Sequence, residues 1–458
     1  MMSEGAVEGT LLRRGDPGYE YARTGAVWNG LKPGRFPAAV VRPASEADVS
    51  HALAHARSHG LRVSTVSGGH NWSGSPLRDG GLLMDLSRFT QCRVDPGPAT
   101  ATVGPAATGR DLVAALGPHG LAFPVGHCPS VAVGGYLLSG GLGWNSRAWG
   151  AACADVQEIR AVTADGRTVN CSGTENSDLF WAARGAGPGF FAVVTRFRLR
   201  LHARPASIMT TSLAFPLSDT GRVTCWAERI ARELPPNVET SLVLLASAGA
   251  APGAPDPSGA RIVVGATAFA AAPEAALDSL APVVGCPFVT SAVSRQPPEP
   301  TSFAALHAGA AALWPPGHRY AADTLWSAET YENRLTRAAD AIAHAPSGRS
   351  LVLAPVQPVS EEPALLRGMA FAPLGESYHV CYAVWDDPAE DEANTRWLRE
   401  AMATADPSGR GGRYVAEADL EAGPDAARLS YSPAAWDRLR ELKARWDPEN
   451  LFHSYLAP

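Results

Sequence analysis

Three glycine-rich segments in the first 190 residues could hold a phosphorylated ligand. They are Ser67-Gly68-Gly69-His70-Asn71-Trp72-Ser73-Gly74, the stretch from Gly126 to Gly143, and Gly185-Ala186-Gly187-Pro188-Gly189. Glycine lets the backbone approach a ligand closely and present consecutive N–H groups, as many pyrophosphate sites require. None of the three has the G-x-G-x-x-G spacing of a dinucleotide-binding turn or the G-K-[ST] of a P-loop. Each could be a tight turn without a ligand, but three so close together favour a binding site.

Two potential nucleophiles lie on these loops, His70 on the first and Cys128 on the second. A lone histidine or cysteine is usually structural, and buried thiols commonly behave as small apolar side chains. Neutral imidazole and thiolate can, however, add to an electron-poor isoalloxazine ring. The pair could therefore tether a flavin.

The elements that would position these loops follow from hydrophobic periodicity and from turn residues. In the first part of the chain the pattern predicts strands at 39–43, 61–67, 81–86, 93–103 (two short strands), 155–163, 167–171 and 190–201, and helices at 45–59, 109–116 and 176–184. Ser45 and Asp48 form an approximate capping box, and Asp165-Gly166 is a typical hairpin turn. The first glycine loop directly follows a strand, where a ligand-binding turn should lie.

The middle of the chain, from about Arg204-Pro205 to Gly412, predicts strands interleaved with helices. Strands fit 241–246, 261–269, 349–355 and 378–385; helices fit 223–234, 274–284, 328–344 and 390–405; a mobile loop fits 248–259; and a further helix follows at 433–446. This order indicates an α+β domain whose sheet is covered by helices on one face and open on the other. Tyr378 and Tyr382 share one face of a strand, where they either line a pocket or belong to the core.

Composition excludes several classes of protein. Lys plus Arg is 39 and Asp plus Glu is 45, so the formal charge of −6 gives no polybasic footprint for nucleic acid or an anionic membrane. Neither a signal-peptide pattern nor an apolar run of about 18 residues occurs, which predicts a soluble, cytoplasmic protein. Seven cysteines form no CxxC pair. His51, His55 and His59 share a helical face but lack a carboxylate or cysteine ligand nearby, so we predict no metal site.

Four motifs together resemble the berberine-bridge-enzyme-like FAD oxidases, within the vanillyl-alcohol-oxidase fold. They are Ser67–His70, Gly126-His127-Cys128-Pro129 through Gly135, Arg184-Gly185-Ala186-Gly187-Pro188-Gly189-Phe190, and Trp446-Asp447-Pro448-Glu449-Asn450-Leu451-Phe452. The family also includes 6-hydroxy-D-nicotine oxidase and sugar oxidases. The resemblance covers the first 200 residues and the last 45, and the middle only in outline.

The resemblance implies an α+β fold with three parts. Residues 1–205 would form a PCMH-type FAD-binding domain of two α/β subdomains. Residues 206–412 would form an antiparallel-sheet substrate domain with helices on one face, and residues 413–458 would return to the FAD-binding domain.

The resemblance also implies which residues bind the cofactor. His70 matches the histidine bonded to the flavin 8α carbon, and Cys128 the cysteine bonded to C6 in bicovalent members. The other residues expected against FAD are Ser67, Gly68, Gly69, Asn71, Gly134, Gly135, Gly140, Gly141, Val194 and Asn450.

The catalytic base departs from the family pattern. Arg413-Tyr414-Val415-Ala416-Glu417-Ala418-Asp419 aligns with a Y-x-N-Y-x-D segment, so Glu417 stands where a catalytic tyrosine is common. A carboxylate can serve as the base if burial raises its pKa toward neutrality; otherwise Glu417 is a solvated side chain on a surface turn. Tyr414 and Tyr136, the latter where histidine is common, are the further candidates, although Tyr136 could simply pack against the ring.

The implied activity is that of an oxidase. A base deprotonates a hydroxyl or amine of a small-molecule substrate, hydride passes from the adjacent carbon to flavin N5, and O2 becomes H2O2. Richness in Ala, Arg, Gly and Pro suggests a GC-rich bacterial genome and a role in tailoring natural products. A dehydrogenase or cyclase of secondary metabolism, a flavin-scaffolded cyclase without net oxidation and a pure ligand-binding module remain open, as does the oligomeric state.

Overall fold

The first sheet is small and mixed, and it carries the first glycine loop. The computed structural model describes residues 8–247, 259–360, 362–423 and 425–456, so most of the loop predicted at 248–259 lies outside the described residues. The strands are β1 (Thr10–Arg13), β2 (Ala39–Arg42), β3 (Val63–Val66) and β4 (Leu82–Asp85), with helices α1 (Tyr19–Gly25) and α2 (Glu46–Ser58). Strands β2 and β3 run parallel to β4, in the order β1-β2-β4-β3. The predicted cap of α2 is confirmed, because the Ser45 side chain accepts from the Asp48 N–H.

The second sheet is antiparallel and has five strands in the order β5-β6-β10-β8-β9. The strands of this part of the chain are β5 (Cys92–Asp95), β6 (Thr100–Val103), β7 (Leu121–Ala122), β8 (Val156–Val162), β9 (Thr168–Ser172), β10 (Val193–Arg200) and β11 (His202–Ala203). Its helices are α3 (Gly109–Leu116), α4 (Val133–Leu138), α5 (Ser146–Trp149) and α6 (Ser177–Ala182). The predicted turn joins β8 to β9, with Gly166 at φ 86°.

The third sheet has seven antiparallel strands in the order β15-β12-β14-β13-β17-β18-β16. They are β12 (Ser207–Pro216), β13 (Val238–Leu245), β14 (Arg261–Ala270), β15 (Ser294–Thr301), β16 (Arg319–Ser327), β17 (Leu351–Val356) and β18 (Ser377–Trp385). The helices between and after them are α7 (Thr220–Glu233), α8 (Pro273–Val284), α9 (Phe303–Leu313), α10 (Tyr331–Ala343), α11 (Pro363–Leu366) and α12 (Asp391–Ala405).

The two faces of this sheet have different coverings, as the sequence predicts. Alternate residues such as Val238, Leu242 and Val264 pack with α7, α8, α10 and α12 in one apolar core. The intervening residues face the other way, because side chains alternate along a strand. The prediction that this second face is open is wrong in part, because Ala310 of α9 packs there with Tyr320 and Tyr382. The remainder of the face is left for a site.

The C-terminal segment returns to the first two sheets. Helix α13 (Pro433–Trp446) contributes Leu439 and Leu442 to the core that these sheets share. Beyond it, Phe452 forms a parallel bridge with Val63 at the start of β3. The chain thus returns to β3, the strand that leads into the first glycine loop.

The sequence pattern missed three strands of the third sheet, β12, β15 and β16, and helix α9. Strand β15 reads Ser-Arg-Gln-Pro-Pro-Glu-Pro-Thr, and proline disfavours a strand because it cannot donate a ladder hydrogen bond. Because β15 lies at the edge of the sheet, one side of the strand needs no ladder hydrogen bonds, and proline is tolerated there. Within the described ranges, no helix combines the length and hydropathy that a membrane span requires.

Candidate active site

A cavity of about 1050 Å³ lies between the glycine loops and the face of the third sheet that carries α9. Its remaining wall comes from residues between 414 and 427 and from residues 452–455. A typical pocket for one drug-sized ligand has roughly 300–1,000 Å³. The cavity can therefore hold a large ligand together with part of a second one.

The first glycine loop and the loop before α4 meet in the cavity wall. A Cβ on Gly68 would lie 2.6 Å from the Ala132 side chain, and one on Gly134 would lie 2.8 Å from Ser67 Oγ. Only glycine allows this close approach. Gly135 lies beside them in the wall, and a Cβ there would meet nothing within 4 Å. The backbone thus leaves an open surface at Gly135 that a flat ligand can cover.

His70 is held in one orientation at the end of the first loop. Its ring stacks on Trp28, with ring centroids 4.7 Å apart, and its Nε2 is 3.0 Å from Ser130 Oγ. Burial lowers the His70 pKa to about 4. The imidazole is therefore neutral at pH 7, which is the form that can act as a nucleophile.

Cys128 lies in the wall of the same cavity and packs near Trp28 and Trp72. Burial raises the pKa of its thiol to about 12, with a further contribution from the negative charge of Glu417. The thiol is thus protonated at neutral pH. The structure brings His70 and Cys128 to one cavity, although 58 positions separate them in the sequence.

Glu417 projects into the cavity and does not lie on a solvated surface turn, so the alternative offered by the sequence is wrong. Tyr382 donates to its Oε1 at 2.7 Å and Tyr378 donates to its Oε2 at 3.1 Å. Burial raises the Glu417 pKa above its usual value, while these hydrogen bonds and one from Trp72 lower it in part. Tyr378 and Tyr382 therefore line the pocket and bind the carboxylate.

The other two candidate bases are already engaged. The Tyr136 hydroxyl donates to the Pro124 carbonyl at 2.6 Å, and burial raises its pKa well above the usual value. The Tyr414 oxygen accepts from the Gly141 N–H at 2.9 Å and from the Leu142 N–H at 3.3 Å, and burial raises its pKa too. Neither hydroxyl is suited to remove a proton.

Nine of the expected cofactor residues line the cavity and three do not. Those in the wall are Ser67, Gly68, Gly69, His70, Asn71, Cys128, Gly134, Gly135 and Val194, as are the three candidate bases. Gly140 and Gly141 instead allow close packing, because a Cβ would lie 2.5 Å from the Phe371 ring or 2.8 Å from the Ala152 side chain. The Asn450 side chain accepts from Lys443 Nζ at 2.8 Å, whereas the wall is made by residues 452–455.

Basic side chains that the sequence analysis missed lie in the wall near β3. The Nε atoms of Arg62 and Arg78 and Nε2 of His453 are buried without a hydrogen-bond partner among the described residues. Such donors match an anionic ligand, and they line the same cavity as the Ser67–Asn71 loop. The glycine loops, the cationic side chains Arg62 and Arg78 and the size of the cavity therefore fit FAD.

In the described residues, no group of three or more His, Cys, Asp or Glu side chains is arranged to hold a metal ion. His55 and His59 lie side by side, with ring centroids 4.1 Å apart.

Comparison with known proteins identifies the family. Residues 37–172 match the sequence model of an FAD binding domain, and residues 413–457 match that of berberine and berberine-like proteins. The FAD-linked oxidoreductase ptmO of Penicillium ochrochloron is 31% identical over 445 residues, covering 95% of this chain and 94% of that protein. The xylooligosaccharide oxidase of Thermothelomyces thermophilus is 36% identical over 190 residues, 41% of this chain and 38% of that protein.

The fold has a close counterpart among solved structures. The crystal structure of 6-hydroxy-D-nicotine oxidase from Arthrobacter nicotinovorans superposes with a TM-score of 0.84 at 22% identity, covering 100% of this chain and 99% of that one. The predicted α+β architecture is thereby confirmed. Because the similarity to an FAD-linked oxidoreductase extends over nearly the full length, this chain is an oxidoreductase that belongs to the berberine-bridge-enzyme-like family of FAD-linked enzymes.

Proposed function

We propose that the protein is an oxidase that holds FAD covalently through His70 and Cys128 and oxidises a C–OH or C–N bond of a small-molecule substrate. The observation that carries the proposal is that His70, Cys128 and Glu417 line one cavity. When bound, FAD supplies the redox chemistry, in which hydride from the substrate carbon reaches flavin N5 and O2 is reduced to H2O2.

His70 would hold the flavin at its 8α carbon through Nδ1. In the tautomer whose Nε2–H donates to Ser130 Oγ, the lone pair of the ring lies on Nδ1. The stacked Trp28 ring restricts rotation of the imidazole. Both contacts support a fixed attachment point.

Cys128 would hold the flavin at C6 through Sγ. Its raised pKa means that the thiol must lose a proton as the bond forms. We therefore expect the bond at Cys128 to form more slowly than the bond at His70.

Glu417 would remove the proton from the substrate hydroxyl or amine. The Tyr378 and Tyr382 hydroxyls orient the carboxylate and stabilise its charged form. The Tyr136 ring and the Tyr414 hydroxyl would form the wall that positions the substrate. The proposal extends to a bacterial, cytoplasmic enzyme of natural-product metabolism, as the composition suggests.

The test is acid precipitation of purified protein, followed by measurement of flavin absorbance in pellet and supernatant. We expect the colour to stay in the pellet for the unmodified protein, for His70→Ala and for Cys128→Ala, since each single variant keeps one bond. The double variant should release it. Cys225→Ala, which removes an exposed cysteine, is the matched control. Colour released from the unmodified protein would contradict covalent attachment while leaving FAD binding intact.

A further inference from the structure

A second buried carboxyl lies in the cavity wall, on the substrate side. Glu239 is on β13, where Val238, Thr240 and Leu242 are buried and the alternate residues face away from the helices. Its side chain lines the cavity together with Ser241. The proposed reaction does not use it.

Glu239 has backbone partners but no ion pair among the described residues. One carboxyl oxygen accepts from the Ser146 N–H at 3.2 Å. Burial raises the Glu239 pKa to about 8, although N–H groups of Asn145 and Ser146 and the charge of Arg147 lower it in part. Arg147 makes no hydrogen bond to the carboxyl, because its guanidinium donates to the carbonyls of Ala231, Leu234, Pro235 and Val238.

The charges of the cavity are divided between its two ends. The cationic side chains Arg62 and Arg78 lie near β3, on the side of the FAD loops. Over the described residues between 206 and 385, the part of the wall made by the third sheet and α9 contains no lysine, arginine or histidine. Glu239 is the carboxyl of that part, and Arg147, whose charge acts on Glu239, is not one of the residues that line it.

The register of the sheet gives the distance between Glu239 and Tyr378, which a ligand contacting both ends of the site must span. Ser241 pairs with Pro355 on β17, and Leu353 pairs with Val380 on β18, so Glu239 lies two strands and about two residues from Tyr378. With strand spacings of about 4.8 Å and a rise of about 3.4 Å per residue, the two backbone positions are roughly 12 Å apart. Tyr378 binds Glu417, so the two carboxyls face different parts of a substrate.

We propose that Glu239 is a specificity-determining residue that binds a protonated nitrogen of the substrate, remote from the bond being oxidised. The proposal rests on the proposed function, since it assigns the substrate of the same site. A cation would supply the partner that the buried carboxylate lacks. The substrate class is then a basic amine whose charged nitrogen lies on the order of 10 Å from the reacting carbon.

The test uses two ligands that differ only in charge, 4-phenylbutylamine and 4-phenylbutan-1-ol. Each is titrated into the flavin-loaded protein, and binding is followed by the flavin difference spectrum and by fluorescence of Trp72 and Trp144 in the wall. We expect the amine to bind at least tenfold more tightly than the alcohol. Calorimetry in two buffers of different ionisation enthalpy should show proton release at pH 7, because the cation ionises Glu239.

Two variants isolate the carboxylate. Glu239→Gln keeps an acceptor for the Ser146 N–H and should reduce the preference for the amine to within twofold. Thr267→Lys places an ammonium group opposite Glu239 in the register and should have the same effect. Ser241→Ala, the neighbouring wall residue, is the control and should keep the preference.

The proposal is wrong if the unmodified protein does not prefer the amine, or if Glu239→Gln still prefers it while Glu417→Gln does not. It is also wrong if Glu239 serves solely to join β13 to the start of α5, in which case Glu239→Gln binds both ligands as the unmodified protein does. Failure of the proposed function would appear elsewhere, as absent flavin reduction or flavin released by acid. The fluorescence titration measures ligand binding alone, so it requires neither flavin reduction nor a covalent flavin.

Discussion

The proposed role of Glu417 as the base can be tested directly by substitution. A positioned general base contributes about 10²–10⁴-fold to rate. We expect Glu417→Gln to slow anaerobic flavin reduction by about that factor, without changing the spectrum of bound flavin. Glu421→Gln, which alters another acid of the cavity wall, is the control and should leave the rate within a few-fold. Unchanged single-turnover reduction in Glu417→Gln would remove the residue from the mechanism.

The environment of Glu417 also predicts a pH dependence. Its pKa is raised, mainly by burial, and only the ionised form can accept a proton. Flavin reduction should therefore fall as the pH drops through this raised pKa, at a pH above the usual 4.5 of a glutamate. Tyr382→Phe removes a hydrogen bond that lowers the pKa, so the acid limb of the rate profile should move to higher pH. A limb that stays in place would contradict the role given to Tyr382.

Sequence reasoning located the individual nucleophiles but not the partners that tune them. His70 and Cys128 follow from local motifs, and both line the cavity. Glu239 was missed because the predicted strand began at residue 241. Glu239 was therefore not placed on the face of the strand that lines the cavity. The bonds from Tyr378 and Tyr382 to Glu417 join residues 39 and 35 positions apart, which no local pattern contains.

Among the elements, the end of α13 carries a buried ion pair. Lys443 Nζ is 2.8 Å from Asp447 Oδ2, and both side chains are almost fully buried. Asp447 also accepts from the N–H groups of Leu451 and Phe452, which fixes the segment that reaches β3.

Removing Asp447 should therefore destabilise the fold. Asp447→Ala leaves the Lys443 ammonium buried without its partner, and we expect a loss of about 3–5 kcal/mol in the free energy of unfolding. Denaturant titration measures it. Glu392→Ala, which removes an exposed pair with Arg396, should cost less than about 1 kcal/mol. Equal losses for the two variants would contradict the importance of the buried pair.

Helices and strands with a clear hydrophobic periodicity or cap were predicted from the sequence. An element such as β15, which forms because of its neighbours in the fold, was not. The alternation in β10 and the capping residue of α2 are local signals, and both elements form as expected. Strand β15 forms because it adds to the edge of an existing sheet, next to β12. Its three prolines argue against a strand in isolation.

For the molecule as a whole, Glu239 links global stability to pH. A carboxyl whose folded pKa is raised favours folding below its unfolded pKa, and that contribution is lost as the pH rises through the folded value of about 8. Glu239→Gln cannot ionise, so it should be more stable than the unmodified protein near pH 8.5, by at most about 4–5 kcal/mol. At pH 4.5 the difference should vanish. Denaturant titrations at the two pH values measure it, and a constant difference would contradict the buried-carboxyl assignment.

The return of the chain to β3 has a consequence for biogenesis. Arg62 donates to the Phe452 carbonyl, and the two residues are 390 positions apart. Domains fold during synthesis from the N-terminus onward. A ribosome will have made the first glycine loop and the whole third sheet before it makes residues 452–455, which line the cavity. We therefore expect a nascent chain stalled within the third sheet to have an incomplete pocket.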